Sequence, residues 1–101
     1  MGRYSFVCVG TKKAMEETFG STCHGAGRIK SRKKAKAMGR GHDLIAEMAR
    51  MGVFVQAHGH QTVAEEMPYA YKDVATVVDV MDRAGISRKV ARLKPIGVIK
   101  G

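Results

Sequence analysis

Glycine divides this chain into short pieces, and that division limits what it can fold into. The 12 glycines of its 101 residues stand largely where hydrophobic patterns stop, as expected of a residue that ends helices and opens turns. A strand is predicted from Tyr4 to Val9, aromatic and β-branched, buried, and stopped by Gly10. Thr11 can cap a helix running through Phe19, with Gly20 ending it. Ser31 caps a basic helix from about Arg32 to Met38, broken at Gly39-Arg40-Gly41. Asp43 caps a helix carrying Leu44, Ile45, Met48 and Met51 at helical spacing, closed by Gly52. Val53 to Ala57 reads as a strand and His58-Gly59-His60 as a turn, while Gln61 to Glu66 is ambiguous. A helix from about Tyr69 to Ala84 places Val74, Val77, Val78 and Met81 on one face, stopped by Gly85. Ser87 to Leu93 reads as a strand, and beyond Pro95 the stretch from Ile96 to Ile99 is extended. Mixed strands and helices with few crossovers predict an α+β fold.

Size and charge narrow the function. A chain of this length is one domain at most, with a modest core and little room for two lobes around a cleft. Lys and Arg number 18 against 9 Asp and Glu, a net charge of +9. That surplus favours a polyanion: RNA, DNA, a nucleotide or acidic lipid. Arg28, Lys30, Arg32, Lys33, Lys34, Lys36 and Arg40 follow one another with no acid among them, whereas Ala64 to Asp82 is acidic. One basic face is therefore expected. The two cysteines are too few for a disulfide framework; Cys8 lies in an apolar run and reads as core, and Cys23 adjoins His24. Seven methionines and a start without signal character fit a reducing cytoplasm. The longest apolar stretch, Phe6 to Val9, is far too short to span a membrane.

The loop Gly20-Ser21-Thr22-Cys23-His24-Gly25-Ala26-Gly27-Arg28 carries the chemistry. Small residues let backbone N–H groups approach an anion. The histidine offers a ring nitrogen that can attack or protonate, and the arginine a planar fork for phosphate oxygens. Phosphoryl or nucleotidyl chemistry suits this combination, although such loops also serve as plain turns. His58 and His60 would share one face if on a strand and could meet a metal with Cys23 or His42, but exposed turn histidines are the simpler reading. Glu16-Glu17 and Glu65-Glu66 read as charged surface positions, since adjacent carboxylates on a strand face opposite ways. Lys100 is near the chain end, anchored by the apolar Ile96, Val98 and Ile99.

Longer stretches carry a resemblance. Ser5 to Gly10, Thr11-x-x-Ala14-Met15-Glu16-Glu17-Thr18-Phe19 with the loop through Arg28, Ser31-Arg32-x-x-Ala35, Val63-Ala64-Glu65-Glu66, Ala70-Tyr71-Lys72-Asp73-Val74 and the ending Val90 to Gly101 together resemble the RtcB family of GTP-dependent RNA ligases. The resemblance covers essentially the whole chain and is to the C-terminal part of that family, so residues 1–101 are expected to be a single segment carrying the histidine loop. It implies that His24 attacks the α-phosphate of GTP and becomes a histidine–GMP adduct. Guanylate then passes to an RNA 3′-phosphate, which is first released where the end is a 2′,3′-cyclic phosphate, and a 5′-hydroxyl end displaces GMP. Gly25, Ala26 and Gly27 would lie against the guanylate. Ser5 and Lys100 would hold the nucleotide, Lys100 near the guanine, with Tyr71 near the base. Arg28 and Arg32 would bind phosphates of the RNA ends. The implied manganese takes its ligands from an upstream portion, leaving none here. The implied partners are tRNA exon halves, that upstream ligase portion and the archease activator, and the chain alone is expected to be inactive. The competing expectation is a non-catalytic basic RNA-binding module or a remnant fragment.

Overall fold

The computed structural model describes all 101 residues. In order they form β1 (Ser5–Gly10), α1 (Lys12–Thr18), α2 (Arg32–Met38), α3 (Leu44–Arg50), β2 (Phe54–Ala57), α4 (His60–Glu65), a 3-10 turn (Pro68–Ala70), α5 (Val74–Arg83), β3 (Ser87–Leu93) and β4 (Gly97–Lys100). The fold is α+β. Its strands form two separate pairs. β1 and β3 are antiparallel, with Ser5 opposite Leu93, Gly10 opposite Ser87 and an irregularity between Val7 and Cys8. β2 and β4 are parallel, with Phe54 opposite Gly97 and Ala57 opposite Lys100.

Local chemistry explains where the helices begin. The Thr11, Ser31 and Asp43 side chains accept hydrogen bonds from the backbone N–H groups of Ala14, Lys34 and Ala46, as capping residues do. Thr11 also donates to the Gly85 carbonyl at 2.6 Å, tying the start of α1 to the turn after α5. The main core lies elsewhere. Leu44 and Met48, one helical turn apart on α3, meet Val53 and Val55 around β2 and Val63, Ala64 and Met67 on and after α4. Burial of each large side chain there contributes about 1.5–3 kcal/mol.

Packing gathers the elements into two groups. One is β1, β3 and α5, joined by α1 through Thr11; the other is β2, β4, α2, α3 and α4. The molecule measures 48 × 26 × 21 Å, with a radius of gyration of 15.6 Å, against about 13 Å for a compact domain of this size. The sequence reading left little room for two lobes and a cleft, but the chain makes room by keeping each group small, so that only 14 residues are buried.

Other expectations are corrected as well. β1 is not a buried strand: Phe6 alone is half-buried, and Cys8 is exposed and not part of the core. A two-stranded sheet leaves each strand an open edge, too narrow to enclose either one. The long helix begins at Val74 and not near Tyr69. Pro68 opens a 3-10 turn, and Asp73 accepts from the Ala75 N–H at 3.1 Å, setting a new helix start. The ambiguous stretch after the His58-Gly59 turn is α4, starting at His60, so His58 and His60 share no strand. α1 ends at Thr18, with Phe19 taking the left-handed conformation at φ 54°. The tail is held by the β4 ladder and Val98, which packs on the core, while Ile96 and Ile99 are exposed.

Candidate functional site

A cleft of about 760 Å³ is lined by residues from both groups, within the range of ordinary small-molecule sites. The Gly20–Arg28 loop runs along it, stapled at both ends. At its start the Gly20 N–H donates to the Ala14 carbonyl at 2.9 Å, and the Thr18 hydroxyl donates to the Ser21 carbonyl at 2.7 Å. At its end the Lys72 N–H donates to the Gly27 carbonyl at 2.9 Å, and Arg28 forms a β-bridge with Tyr71. Gly27 sits at φ 75°, where a side chain is strained. Between the staples, Thr22, Cys23, His24, Gly25 and Ala26 face the cleft, and His24 is exposed to it.

Five of the residues singled out from sequence line this one space: Ser5 from β1, His24, Gly25 and Ala26 from the loop, and Tyr71 ahead of α5. Gly27 and Arg28 form the loop's inner end. Lys100 reaches the same place indirectly: its Nζ lies 3.7 Å from Oε2 of Glu66, which lines the cleft. Arg32 stands apart on α2, its side chain 68% exposed and 3.5 Å from Glu65.

Arg28 faces inward, with its side chain 22% exposed. Its Nε donates to the Lys30 carbonyl at 3.0 Å, and its terminal nitrogens donate to the Glu65 carbonyl at 2.6 Å and the Tyr71 hydroxyl at 2.8 Å. The guanidinium also lies 4.7 Å from the Tyr71 ring centroid. Tyr71 in turn donates its hydroxyl hydrogen to Oε2 of Glu66. Burial pushes the Glu66 carboxyl up, but the Tyr71 hydrogen bond and the Lys100 and Arg28 charges outweigh it and hold it below the usual carboxylate range. Burial, then the hydrogen bond to and charge of Glu66, raise the Tyr71 phenol.

Glu66 departs from expectation. It was expected to be a surface charge, yet its side chain is 20% exposed and surrounded by partners. Its place at the end of α4 turns it away from solvent, because Val63, Ala64 and Met67 fix that segment in the core. Glu65 is likewise engaged, 2.6 Å from Lys36. Lys72 and Arg3 also line the cleft and were not singled out. Glu66 and Lys72 lie in stretches that carry the family resemblance, but residue spacing alone marks no role for them or for Arg3.

His58 and His60 are exposed, and the His60 Nε2 contacts the His42 carbonyl at 2.9 Å. No group of three or more His, Cys, Asp or Glu side chains gathers to hold a metal ion, so the residues present do not fit a manganese site. No helix is long and apolar enough to cross a membrane.

The fold and cleft thus define an α+β chain presenting an imidazole from a stapled, glycine-rich loop beside a hydrogen-bonded cluster of charged groups. The family model described as "tRNA-splicing ligase RtcB" matches residues 1–101, and the chain belongs to that family. Among relatives named tRNA-splicing ligase RtcB, the chain is 55% identical to those of Archaeoglobus fulgidus and Methanopyrus kandleri and 54% identical to that of Pyrococcus abyssi. Each match covers all of this chain but only 21%, 10% and 11% of the respective relative. The chain therefore spans about a fifth of the length of one and about a tenth of the other two.

Proposed function

We propose that this chain is the C-terminal, guanylate-accepting part of a GTP-dependent RNA ligase, with His24 as nucleophile. The neutral His24 ring attacks the α-phosphorus of GTP, forming an N–P bond as the bond to the departing pyrophosphate breaks. An oxygen of an RNA 3′-phosphate then attacks the same phosphorus, and the N–P bond breaks, returning the lone pair to the ring. The 5′-hydroxyl of a second RNA end attacks the activated 3′-phosphorus and gives up its proton, and GMP leaves as the phosphodiester forms. Ends carrying a 2′,3′-cyclic phosphate are first opened by water.

The observation that carries this reading is convergence: three stretches far apart in sequence, at Ser5, at His24-Gly25-Ala26 and at Tyr71, line one cleft of nucleotide-compatible size. Gly25 to Gly27 would admit the guanylate closely, and Ser5, Tyr71 and Lys100 would hold the nucleotide. Arg32 would meet RNA phosphate through its exposed guanidinium by giving up its 3.5 Å ion pair with Glu65; Arg28 would do so only by releasing one of its internal contacts. The substrates would be RNA ends such as tRNA exon halves. Manganese ligands would lie in an upstream portion of the complete ligase, with archease as activator, and no step above is routed through the metal.

The test is label transfer from α-labelled GTP, with manganese, to the chain alone and to the chain combined with the upstream ligase portion. Labelling is expected only in the combination and is expected to vanish in His24→Ala. Undiminished labelling of that variant removes His24 from the mechanism. No labelling of a folded combination favours a non-catalytic RNA-binding role.

A further inference from the structure

We infer that Glu66 is a positioning residue of the cleft, the shared anion that orients Tyr71 and Lys100 toward the bound nucleotide. The inference rests on the nucleotide reading above and adds to it a residue with no assigned role. Glu66 divides its two oxygens between different partners. Oε1 lies 3.5 Å from an Arg28 terminal nitrogen. Oε2 accepts the Tyr71 hydroxyl hydrogen and lies 3.7 Å from the Lys100 Nζ. Tyr71 is held from both sides, since its oxygen also accepts from Arg28 at 2.8 Å. That leaves the phenol one orientation, and its ring lines the cleft.

The members come from three stretches of chain: Arg28 at the end of the loop, Glu66 and Tyr71 on either side of the 3-10 turn, and Lys100 on β4. Glu66 follows α4, whose Val63 and Ala64 are buried. Tyr71 is fixed by the bridge to Arg28. Lys100 ends β4, opposite Ala57 of β2. Without the carboxylate, Arg28 and Lys100 would both lose the anion they share. The Met1 amino group also faces Glu66, and Arg28 contacts the neighbouring Glu65 through its backbone carbonyl. Glu66 does not need to touch the substrate; it acts through Tyr71 and Lys100.

Glu66→Gln tests this, because it keeps the shape and removes the charge. The readouts on the isotopically labelled chain are the NMR titration of the Tyr71 ring and the chemical shift of the Lys100 ammonium, with guanosine monophosphate titrated separately into the chain combined with the upstream ligase portion. In Glu66→Gln the Tyr71 titration is expected to move to lower pH, the Lys100 signal to move toward that of a free lysine, and guanosine monophosphate to bind about tenfold more weakly. Glu17→Gln, exposed on α1, is expected to change none of these. Should Glu66→Gln lose its fold, Tyr71→Phe provides the second arm: removing the phenol oxygen is expected to shift the Glu66 carboxyl titration and leave Lys100 beside it. Tyr71 and Lys100 signals in Glu66→Gln identical to wild type overturn the inference, as does a Glu66 titration indifferent to Tyr71→Phe. Failure of the wild-type chain, combined with the upstream portion, to bind guanosine monophosphate while these signals move as expected counts instead against the nucleotide reading.

Discussion

Replacing Arg28 separates a structural arginine from a purely phosphate-binding one. A phosphate ligand would keep its fork free in the absence of RNA, and its loss would weaken RNA binding with little effect on folding. Here the fork is engaged: Nε and the terminal nitrogens reach the Lys30 and Glu65 carbonyls and the Tyr71 hydroxyl at 3.0, 2.6 and 2.8 Å. Hydrogen bonds to charged groups contribute about 1.5–3 kcal/mol each when buried. The side chain is 22% exposed, so partial water replacement argues for about 1 kcal/mol each. The guanidinium over the Tyr71 ring adds about 0.5–1 kcal/mol. Arg28→Ala is therefore expected to cost about 3–4 kcal/mol. For a chain of this size that lowers Tm by at least about 10 °C, measurable by circular dichroism. Arg28→Lys can satisfy only part of the set and should fall between. Arg32→Ala, exposed with one ion pair, should stay within about 0.5 kcal/mol of wild type. An Arg28→Ala chain melting within about 3 °C of wild type refutes the reasoning and returns Arg28 to the role of a free phosphate ligand.

Other expectations follow from single features. Leu44→Ala empties the centre of the main core and should cost about 2–5 kcal/mol in urea unfolding; a smaller loss would mean that the cluster repacks around the gap. Phe19→Asn relieves a left-handed conformation borne by a side chain that is 95% exposed, and should gain about 0.5–1 kcal/mol in the same assay; a loss would show that the ring contributes packing. Because the Glu66 carboxyl is held low in the folded chain, its contribution is present above its unfolded value of about 4.3 and is lost as pH falls through its lower folded value. Glu66→Gln should therefore flatten the acid limb of the stability profile, leaving the lowered Asp73, Asp79 and Asp82 carboxyls to shape what remains. Removing Arg32, Lys33 or Lys34 should weaken RNA binding across sequences and reduce its salt slope by about one per lost phosphate contact; an unchanged slope would move RNA off α2.

What was legible in the sequence is what neighbouring residues decide. The caps at Thr11, Ser31 and Asp43 depend on a side chain and an N–H three residues on, so the starts of α1, α2 and α3 could be read directly. The histidine loop was legible for the same reason, being contiguous. Pro68 and Asp73 are visible too, but the periodic Val74, Val77, Val78 and Met81 form a pattern that carries the expected helix back to Tyr69, across its true start at Val74. Burial was read less well. β1 has the composition of a buried strand, and Ile96 and Ile99 that of an anchor, yet both lie open. A hydrophobic pattern reports which residues can be buried; it does not say that the same chain supplies the neighbours. Here two narrow sheets share 101 residues, and neither is wide enough to cover its own strands.

Glu66 marks the opposite limit. Residue type and spacing made it one of two adjacent surface acids, and Glu65 and Glu66 differ in nothing that composition records. The difference arises because α4 stops between them, with Val63, Ala64 and Met67 fixed in the core. That stop aims Glu66 at Tyr71, five residues on, and at Lys100, carried there by a parallel strand pair closed across more than forty residues of chain. The cluster has no signature in residue spacing because its members come from three stretches far apart in the chain. Each member is tied to at least one other: Arg28 to Tyr71 and Glu66, and Glu66 to Tyr71 and Lys100. A cleft whose exposed His24 sits on a loop stapled to this cluster, through the Arg28–Tyr71 bridge and the Lys72 to Gly27 hydrogen bond, has its geometry set by the cluster as much as by the loop.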